Sequence, residues 1–476
     1  MARTSGRVSG LLVDPGEVRH SPSGARYRID EHARVSFERG GVSGYRDAVF
    51  FIGSGAAARS FLWRSAGFLF ELPVTRYASK GWEMSPGYEN ARTLGLARPI
   101  EPECLNCHAT GIRHRGGTQN EYDWPAVLEG GIGCERCHGP GKEHVERGAR
   151  DAIVNPGKLA PRLRDSVCAQ CHLTGAERVV RAGRDLSAFR PGQDFADYAV
   201  SFVWTGSPAR DLHTTSHFER LAASKCKQAS GDKLWCGSCH DSHRAPAREE
   251  RSGYYRERCA ACHQATAHVA DNAGCISCHM PSREAKDAAH ASFTDHSIPR
   301  RPNAPGGSGG RDLKAFGGEA APRELGLAWA RIANAGQQSA DFTRALDLLR
   351  RAYATGGRDA ALLTALAYLE DRDGNAARAT GLYEQVRGLD PSQAEALVNL
   401  GSARASAGRL EEAIELWRNA TLRSPGIEAA WIKLALANAA KGRIQQALDD
   451  ARACLRYHPD SPQAIELLDT LAARPR

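Results

Sequence analysis

The stretch CAACHQATAHVADNAGCISCH, residues 259–279, contains two copies of the pattern Cys-x-x-Cys-His. Four more copies lie upstream, so twelve of the fourteen cysteines occur in pairs, and a histidine follows every pair. The six copies comprise Cys104, Cys107 and His108; Cys134, Cys137 and His138; Cys168, Cys171 and His172; Cys236, Cys239 and His240; Cys259, Cys262 and His263; and Cys275, Cys278 and His279. This regularity makes the cysteine spacing the main guide to both fold and function.

The histidine after each pair indicates the chemistry that the pattern serves. Two thiols three positions apart can each form a thioether with a vinyl group of one porphyrin, and the next residue then lies beneath the iron. Its imidazole becomes the proximal ligand of the iron. The sequence therefore predicts six covalently bound haem c groups, with the twelve paired cysteines as attachment sites.

Other uses of paired cysteines fit this pattern less well. A zinc ribbon completes a tetrahedron with a second cysteine pair and has no use for a histidine after every pair. A thioredoxin-like redox pair is single and lies at a helix start in a βαβ unit. Structural zinc and disulfides are therefore kept only as alternatives.

Eleven further histidines offer sixth ligands for the irons. His20, His32 and His458 lie away from the motifs, whereas eight others are interleaved with them. The predicted distal ligands are His144, His217, His243, His268, His290 and His296, with His213 and His114 in reserve. Because His243 follows His240 by three residues, it is too close to reach over the same ring easily, and we expect it to serve another haem.

Bis-histidine iron is six-coordinate and leaves no open position for a substrate. Such haems usually carry electrons rather than perform bond chemistry. The sequence does not show which haem, if any, lacks its sixth ligand, so it assigns no catalytic residue.

Composition divides the chain into four segments and predicts a mainly α protein. Residues 1–95 alternate like strands and predict a small β-rich region packed on the haem domain. Residues 96–300 hold all six motifs in a loop-rich helical domain, whose buried apolar surface we expect the haems to supply. Residues 301–322 form a Pro- and Gly-rich linker, and residues 323–476 are Ala-, Leu- and Arg-rich with helical periodicity.

The last segment repeats with a period of 34 residues. Ala345, Ala379, Ala413 and Ala447 share this spacing, and each lies early in an Ala-rich helix. Paired helices of this period, with small residues where they cross, resemble the tetratricopeptide repeat. Residues 461–472 predict a terminal capping helix. The segment is therefore predicted to be an α-solenoid.

Several stretches together resemble one known group of proteins. They are Glu103-Cys104-Leu105-Asn106-Cys107-His108-Ala109-Thr110-Gly111, Gly133-Cys134-Glu135-Arg136-Cys137-His138-Gly139-Pro140-Gly141, Ser224-Lys225-Cys226, Cys239-His240-Asp241-Ser242-His243, Cys278-His279-Met280-Pro281 and Thr294-Asp295-His296. From about residue 45 onward the chain resembles the multihaem c-type cytochromes with carboxy-terminal tetratricopeptide repeats, related to the hydroxylamine oxidoreductase and pentahaem nitrite reductase lineage. The resemblance implies a mostly helical, loop-rich haem domain with stacked bis-histidine haems.

The chain departs from that group in two respects. The nitrite reductases bind their catalytic haem through a lysine in place of the motif histidine, and no motif here has that variant, which counts against that activity. Haem is attached outside the cytoplasm, yet residues 1–20 show no charged start followed by an apolar core. We therefore expect a periplasmic or otherwise exported protein whose printed start is internal to a longer sequence, with one distal histidine available to a haem upstream.

Charge and hydropathy narrow the range of partners. The chain has 63 Lys and Arg against 55 Asp and Glu, formally +8, but no basic cluster is interleaved with aromatic residues, so nucleic-acid binding has no support. No apolar run approaches the length of about 18 residues that a membrane helix needs.

Electron transfer is the leading functional prediction. Six closely spaced haems form a relay, and the repeat region docks a redox partner protein. The alternative is a multihaem oxidoreductase that acts on a small nitrogen or sulfur compound at one open haem site. A third reading, a scaffold with structural haems, leaves unexplained why so many haems are present.

Overall fold

The computed structural model describes residues 4–9, 11–205, 212–263, 275–288, 290–300, 312–336 and 338–473. The chain forms two compact units. The first joins Thr4–Gly130 with Ala321–Arg476, and the second is Gly131–Ala320. The first unit therefore contains one Cys-x-x-Cys-His motif together with the repeats, and the second contains the other five motifs. The segment boundaries expected from composition stay predictions.

The first unit begins with strands that form two antiparallel sheets. The strands are β1 (Ser5–Arg7), β2 (Gly16–His20), β3 (Ala25–Ile29), β4 (Arg34–Arg39), β5 (Val42–Asp47), β6 (Phe50–Ile52), β7 (Ala58–Ser65), β8 (Phe68–Tyr77), β9 (Gly81–Met84) and β10 (Arg98–Pro99). One sheet has the order β2-β3-β4-β5. The other has the order β1-β6-β7-β8-β10, with β9 also paired to β8. The β-rich amino-terminal region predicted from alternation is confirmed.

Alternating and continuous apolar patterns explain how these strands pack. In β4, Val35 and Phe37 point into the core while their neighbours are exposed. Strand β8 is almost wholly buried, because its two faces pack against different apolar clusters. Phe70 belongs to the first cluster and Leu69 to the second.

The first motif lies directly on this second cluster. It occupies α1 (Pro102–His108), which is followed by the hairpin β11 (Ala109–His114) and β12 (Tyr122–Gly130). Leu105 of α1 is fully buried with Leu69 and Tyr122. The Tyr122 hydroxyl donates to the Ile100 carbonyl at 2.7 Å. Packing of Leu105 therefore fixes the first motif on the sheet.

The carboxy-terminal part of the first unit is a row of helix pairs. The helices are α10 (Pro322–Gly336), α11 (Ser339–Ala354), α12 (Ala360–Arg372), α13 (Ala376–Leu389), α14 (Ala394–Ser406), α15 (Leu410–Arg423), α16 (Glu428–Ala440), α17 (Ile444–Tyr457) and α18 (Pro462–Ala472). Ala345, Ala379, Ala413 and Ala447 are buried where helices cross, as the repeat pattern predicts. The helical repeat region is confirmed, and its last helix begins at the capping side chain of Ser461.

The last repeats share a core with the amino-terminal sheet. The ring of Tyr457 lies 5.4 Å from that of Phe70, in the same apolar cluster. The carboxylate of Asp460 accepts from the Leu94 backbone N–H at 2.8 Å and lies 3.0 Å from Arg39. Nothing in the local pattern of either segment predicts this contact between residues so far apart in the chain.

The second unit consists of short helices and strands around the other motifs. They are α2 (Glu135–His138), α3 (Lys142–Arg147), α4 (Pro161–His172), β13 (Glu177–Val180), β14 (Ala199–Trp204), α5 (His217–Ala223), α6 (Lys225–Ser230), α7 (Cys236–Cys239), α8 (Arg251–Ala260), α9 (Cys275–His279), β15 (Ser282–Glu284), β16 (Ser292–Thr294) and β17 (Leu313–Ala315). The sheets are β13-β14-β17 and β15-β16. The region is loop-rich as predicted, but it also contains strands that the helical expectation did not include.

Phe189, Phe195 and Tyr198 form the centre of one apolar cluster in the second unit. The ring of Phe189 contacts both others edge to face, at 5.3 and 5.6 Å between centroids. Among the described residues of both units, no helix is long and apolar enough to cross a membrane.

Candidate haem sites

Every Cys-x-x-Cys-His motif lies on or at the end of a helical turn. The backbone N–H of His138 donates to Cys134 at 2.9 Å, and His240 and His263 make the same bond to Cys236 and Cys259. Because one turn of helix spans about 3.6 residues, this bond places the histidine beside the first cysteine of its motif. Both thiols and the imidazole therefore project from one short turn, as attachment to a single porphyrin requires.

Neighbouring motifs bring their attachment cysteines together. The thiols of Cys168 and Cys236 form a hydrogen bond, which raises the pKa of Cys168 and lowers the pKa of Cys236. Burial, together with the nearby Cys275 thiol, raises the pKa of Cys259 to about 11. The contact of Cys259 with Cys275 agrees with the short spacing between their motifs. None of the fourteen cysteines, all of which lie among the described residues, is paired in a disulfide.

Several motif histidines are oriented by a bond to their second ring nitrogen. His138 Nδ1 lies 2.7 Å from the Val154 carbonyl, and His279 Nδ1 lies 3.0 Å from the Pro299 carbonyl. A carbonyl at this position makes Nδ1 the protonated nitrogen and leaves the Nε2 lone pair available. This is the arrangement that metal-ligating histidines usually have.

Burial keeps other motif histidines neutral, which is the state that binds a metal. It lowers the pKa of His108. It also lowers the pKa of His172, where His296 and His240 add to the effect. The Nδ1 atoms of His108 and His217 are buried without a hydrogen-bond partner among the described residues. These two rings therefore lack the carbonyl contact at Nδ1 that orients His138 and His279.

In two predicted distal ligands, a backbone carbonyl near Nδ1 fixes the tautomer, as it does in His138 and His279. His144 Nδ1 lies 2.9 Å from the Ala149 carbonyl, and His296 Nδ1 lies 2.9 Å from the Thr294 carbonyl. By contrast, His114 uses Nε2, 3.0 Å from the Thr118 carbonyl. His20 contacts protein with both nitrogens, at Ser23 and at the Glu89 carbonyl.

Ring distances arrange some of these histidines in pairs. The ring centroids of His138 and His243 lie 5.8 Å apart with 14° between planes, and those of His240 and His296 lie 6.1 Å apart with 32° between planes. His172 lies 5.0 Å from His217 with an interplanar angle of 84°. With metal–nitrogen bonds of about 2 Å, two imidazoles on one iron have centroids about 6 Å apart. The first two pairs are therefore close to the separation that bis-histidine iron needs, whereas His172 and His217 lie closer together than that.

The remaining predicted ligands are His213, His290 and His268. His213 Nδ1 lies 3.8 Å from Asp287. His290 lies between β15 and β16, at a backbone φ of 67°. His268 lies outside the described residues. Among the described residues, no group of three or more His, Cys, Asp and Glu side chains is arranged to hold a metal ion by itself.

A buried ion pair beside the histidines was not foreseen from the sequence. Arg220 follows His217 by one helical turn, and Asp295 directly precedes His296. Burial alone would raise the pKa of Asp295, but hydrogen bonds from Arg220 and Ser297 outweigh it and lower that pKa. The stretch Thr294-Asp295-His296 is one of those that resemble the multihaem cytochromes. No local sequence pattern, however, indicates Arg220 as the partner of Asp295.

Comparison with known proteins supports a c-type cytochrome. The profile of the family described as cytochrome c554 and c-prime matches residues 77–139, which contain the first two motifs. Cytochrome c-554 of Nitrosomonas europaea (strain ATCC 19718) is 36% identical over 66 residues, which are 13% of this chain and 26% of that protein. The match thus spans about a quarter of the curated relative. The matched residues include the motifs that begin at Cys104 and Cys134, and this pattern is the attachment site of haem c in c-type cytochromes.

Several solved structures are similar to part of this chain. A crystal structure of MamA is 20% identical and covers 29% of this chain and 82% of its own, with a TM-score of 0.27. The second TPR domain of human RPAP3, solved with an HSP70 peptide, is 21% identical and covers 23% of this chain and 90% of its own, with a TM-score of 0.21. The repeat assignment itself depends on the helix pairs and crossing alanines of this chain.

Proposed function

We propose that this protein is a multihaem cytochrome c that transfers electrons through six closely spaced, mostly bis-histidine haem c groups. The observation that carries the proposal is the contact between successive sites. Cys168 touches Cys236, Cys259 touches Cys275, and the rings of His217 and His296 lie 4.8 Å apart. Electron transfer requires such proximity between cofactors, whereas a structural role does not.

The proposed ligands follow the geometry of the histidines. Proximal ligands are His108, His138, His172, His240, His263 and His279, and distal ligands are His144, His217, His243, His268, His290 and His296. We assign three pairs to shared irons: His138 with His243, His172 with His217, and His240 with His296. The assignment of His243 away from His240 agrees with their short separation in sequence.

The chain's own residues would hold and insulate these sites. When bound, haem c supplies reversible one-electron chemistry at iron. The carbonyls of Val154, Pro299 and Thr294 fix the tautomers of His138, His279 and His296. Desolvation lowers the pKa of His217 to about 3, with His172, His296 and His240 adding to it. These residues thus keep the imidazoles neutral and fixed, so that little rearrangement accompanies a change of charge.

The repeats are proposed to dock a redox partner protein. Within the first unit, Arg423 of α15 donates to the Gly117 carbonyl at 2.7 Å, in the loop between β11 and β12. A partner bound to the repeats therefore shares one compact unit with the haem site at His108. We further propose that the protein is exported to the periplasm or an equivalent compartment, and that it is related to the hydroxylamine oxidoreductase lineage.

Pyridine haemochrome quantitation against protein mass tests this proposal. The expected result is six haems per exported chain, and fewer than about five would refute the assignment. Ser replacements of both Cys134 and Cys137 should remove one haem, whereas Cys454→Ser should remove none, because Cys454 is buried in α17. Electron transfer predicts a wholly low-spin ferric spectrum that cyanide leaves unchanged. A high-spin ferric signal or tight cyanide binding would instead indicate catalysis at an open haem.

A further inference from the structure

One ion pair in the second unit is almost completely withdrawn from solvent. The side chains of Arg220 and Asp295 are each 2% exposed. Arg220 Nε donates to Asp295 Oδ1 at 2.9 Å, and Arg220 Nη2 donates to Oδ2 at 2.5 Å. Charge-assisted, two-point pairs of this kind are among the most directional contacts in proteins.

Two further donors complete the environment of Asp295. Arg283 Nε of β15 donates to Oδ2 at 3.1 Å, and the Ser297 backbone N–H donates to Oδ1 at 2.8 Å. Both carboxylate oxygens are therefore held from two directions. The pair joins α5 to the end of the β15-β16 hairpin.

Arg220 and Asp295 each lie close in sequence to a predicted distal histidine. Arg220 follows His217 by three residues, so both lie on one face of α5. Asp295 is adjacent to His296 in sequence. The rings of His217 and His296 are 4.8 Å apart with 70° between planes. Each member of the ion pair is therefore within three residues of one of these two imidazoles.

A purely structural role does not explain why this pair is ionic. Removing two charges from water is costly, and replacing a buried ion pair by apolar residues often leaves stability unchanged or improved. What a two-point pair supplies is fixed direction and distance. A fixed direction and distance matter where two segments, here α5 and the end of the β15-β16 hairpin, must hold metal ligands at set angles.

We infer that Arg220 and Asp295 are positioning residues that jointly fix the distal imidazoles of two neighbouring haems. One is the haem of His172 and His217, and the other is the haem of His240 and His296. This inference rests on the proposed function. It assigns to one ion pair the control of the sixth ligand at two irons, and hence of their spin state and relative orientation.

The test compares the ferric spectra of the full haem-loaded chain and its Arg220→Gln variant. Losing a group that orients a metal ligand lowers affinity by about 10- to 100-fold. Haem content should stay at the wild-type value, because the attachment cysteines are untouched. The ferric electron paramagnetic resonance spectrum should gain a high-spin signal, or its low-spin signals should shift, since their anisotropy depends on the angle between the imidazole planes.

A second ion pair provides the matched control. Arg323 forms the same two-point contact with Asp359, at 2.7 and 2.8 Å, between α10 and the start of α12. Arg323→Gln should therefore leave the spectrum unchanged. If Arg220→Gln yields no haem-loaded protein, Arg220→Lys is measured instead, since it keeps the charge but cannot reproduce the two-point contact.

The outcomes distinguish this inference from the function on which it rests. A full haem count with a wild-type spectrum in the Arg220 variant overturns the positioning role alone. An equal spectral change in Arg323→Gln overturns it as well, because the effect would then follow from lost stability. A wild-type haem count below about five refutes the proposed function, and the positioning role is refuted with it.

Discussion

At the scale of single residues, the free ring nitrogen separates candidate ligands from other histidines. His144 has Nε2 available because the Ala149 carbonyl occupies Nδ1, whereas His114 has its Nε2 against the Thr118 carbonyl. We expect His144→Ala to convert one haem to a high-spin ferric form without loss of haem, and added imidazole to restore the low-spin spectrum. His114→Ala should leave the visible and resonance spectra unchanged. The ligand assignment is wrong if the two variants respond alike.

A glycine in the repeats allows a second comparison of matched residues. A Cβ atom at Gly401 of α14 would lie 2.5 Å from Trp417 Nε1, whereas one at Gly381 of α13 would meet nothing within 4 Å. Gly401→Ala should lower stability by about 1–3 kcal/mol through overpacking. Gly381→Ala should raise it by up to about 1 kcal/mol, because alanine favours the helix. The denaturant midpoint of the helical circular dichroism signal measures both, and destabilisation by both variants would contradict this packing.

At the scale of elements, α17 is predicted to be held by the amino-terminal sheet. Tyr457 is 5% exposed and packs against Trp63 and Phe70. Tyr457→Ala should therefore cost about 3–5 kcal/mol, as for other large buried aromatic residues. Tyr368, which is 38% exposed on α12, provides the control, and Tyr368→Ala should cost far less. Thermal unfolding of the haem-loaded chain measures the difference, and equal shifts in melting temperature would argue against a shared core.

The same elements show which features the sequence could predict. The periodic alanines predicted the helices of the repeats, and the Cys-x-x-Cys-His pattern predicted the turns of the motifs. Both patterns are visible in the sequence because each depends on residue spacing along the chain. The contact of Tyr457 with Phe70, and that of Arg220 with Asp295, join segments that are distant in sequence. Because a single sequence carries no record of which distant residues meet, neither partner was predictable. The strands β13 and β14 are only four and six residues long, and segments this short are formed by pairing with each other rather than by a pattern within either one.

At the scale of the whole molecule, the two units differ in how much apolar core they have without haem. In the described residues, the first unit has two large apolar clusters and a row of packed helices. The cluster around Phe189 in the second unit is smaller, and the attachment cysteines Cys134, Cys262 and Cys278 of that unit are exposed. Covalent haem would add apolar surface where the second unit needs it most.

This difference predicts that haem removal destabilises the second unit selectively. In protein made without haem attachment, trypsin should cut rapidly within residues 131–320, because too little apolar surface is buried there to offset the loss of chain entropy. The fragments 4–130 and 321–476 should survive and stay together, since Tyr457 and Asp460 pack against the amino-terminal region. Size-exclusion chromatography with mass spectrometry of the digest measures both outcomes, with the haem-loaded chain as control. Equal resistance of residues 131–320, or separation of the two fragments, would show that haem does not supply the missing core or that the first unit does not hold itself together.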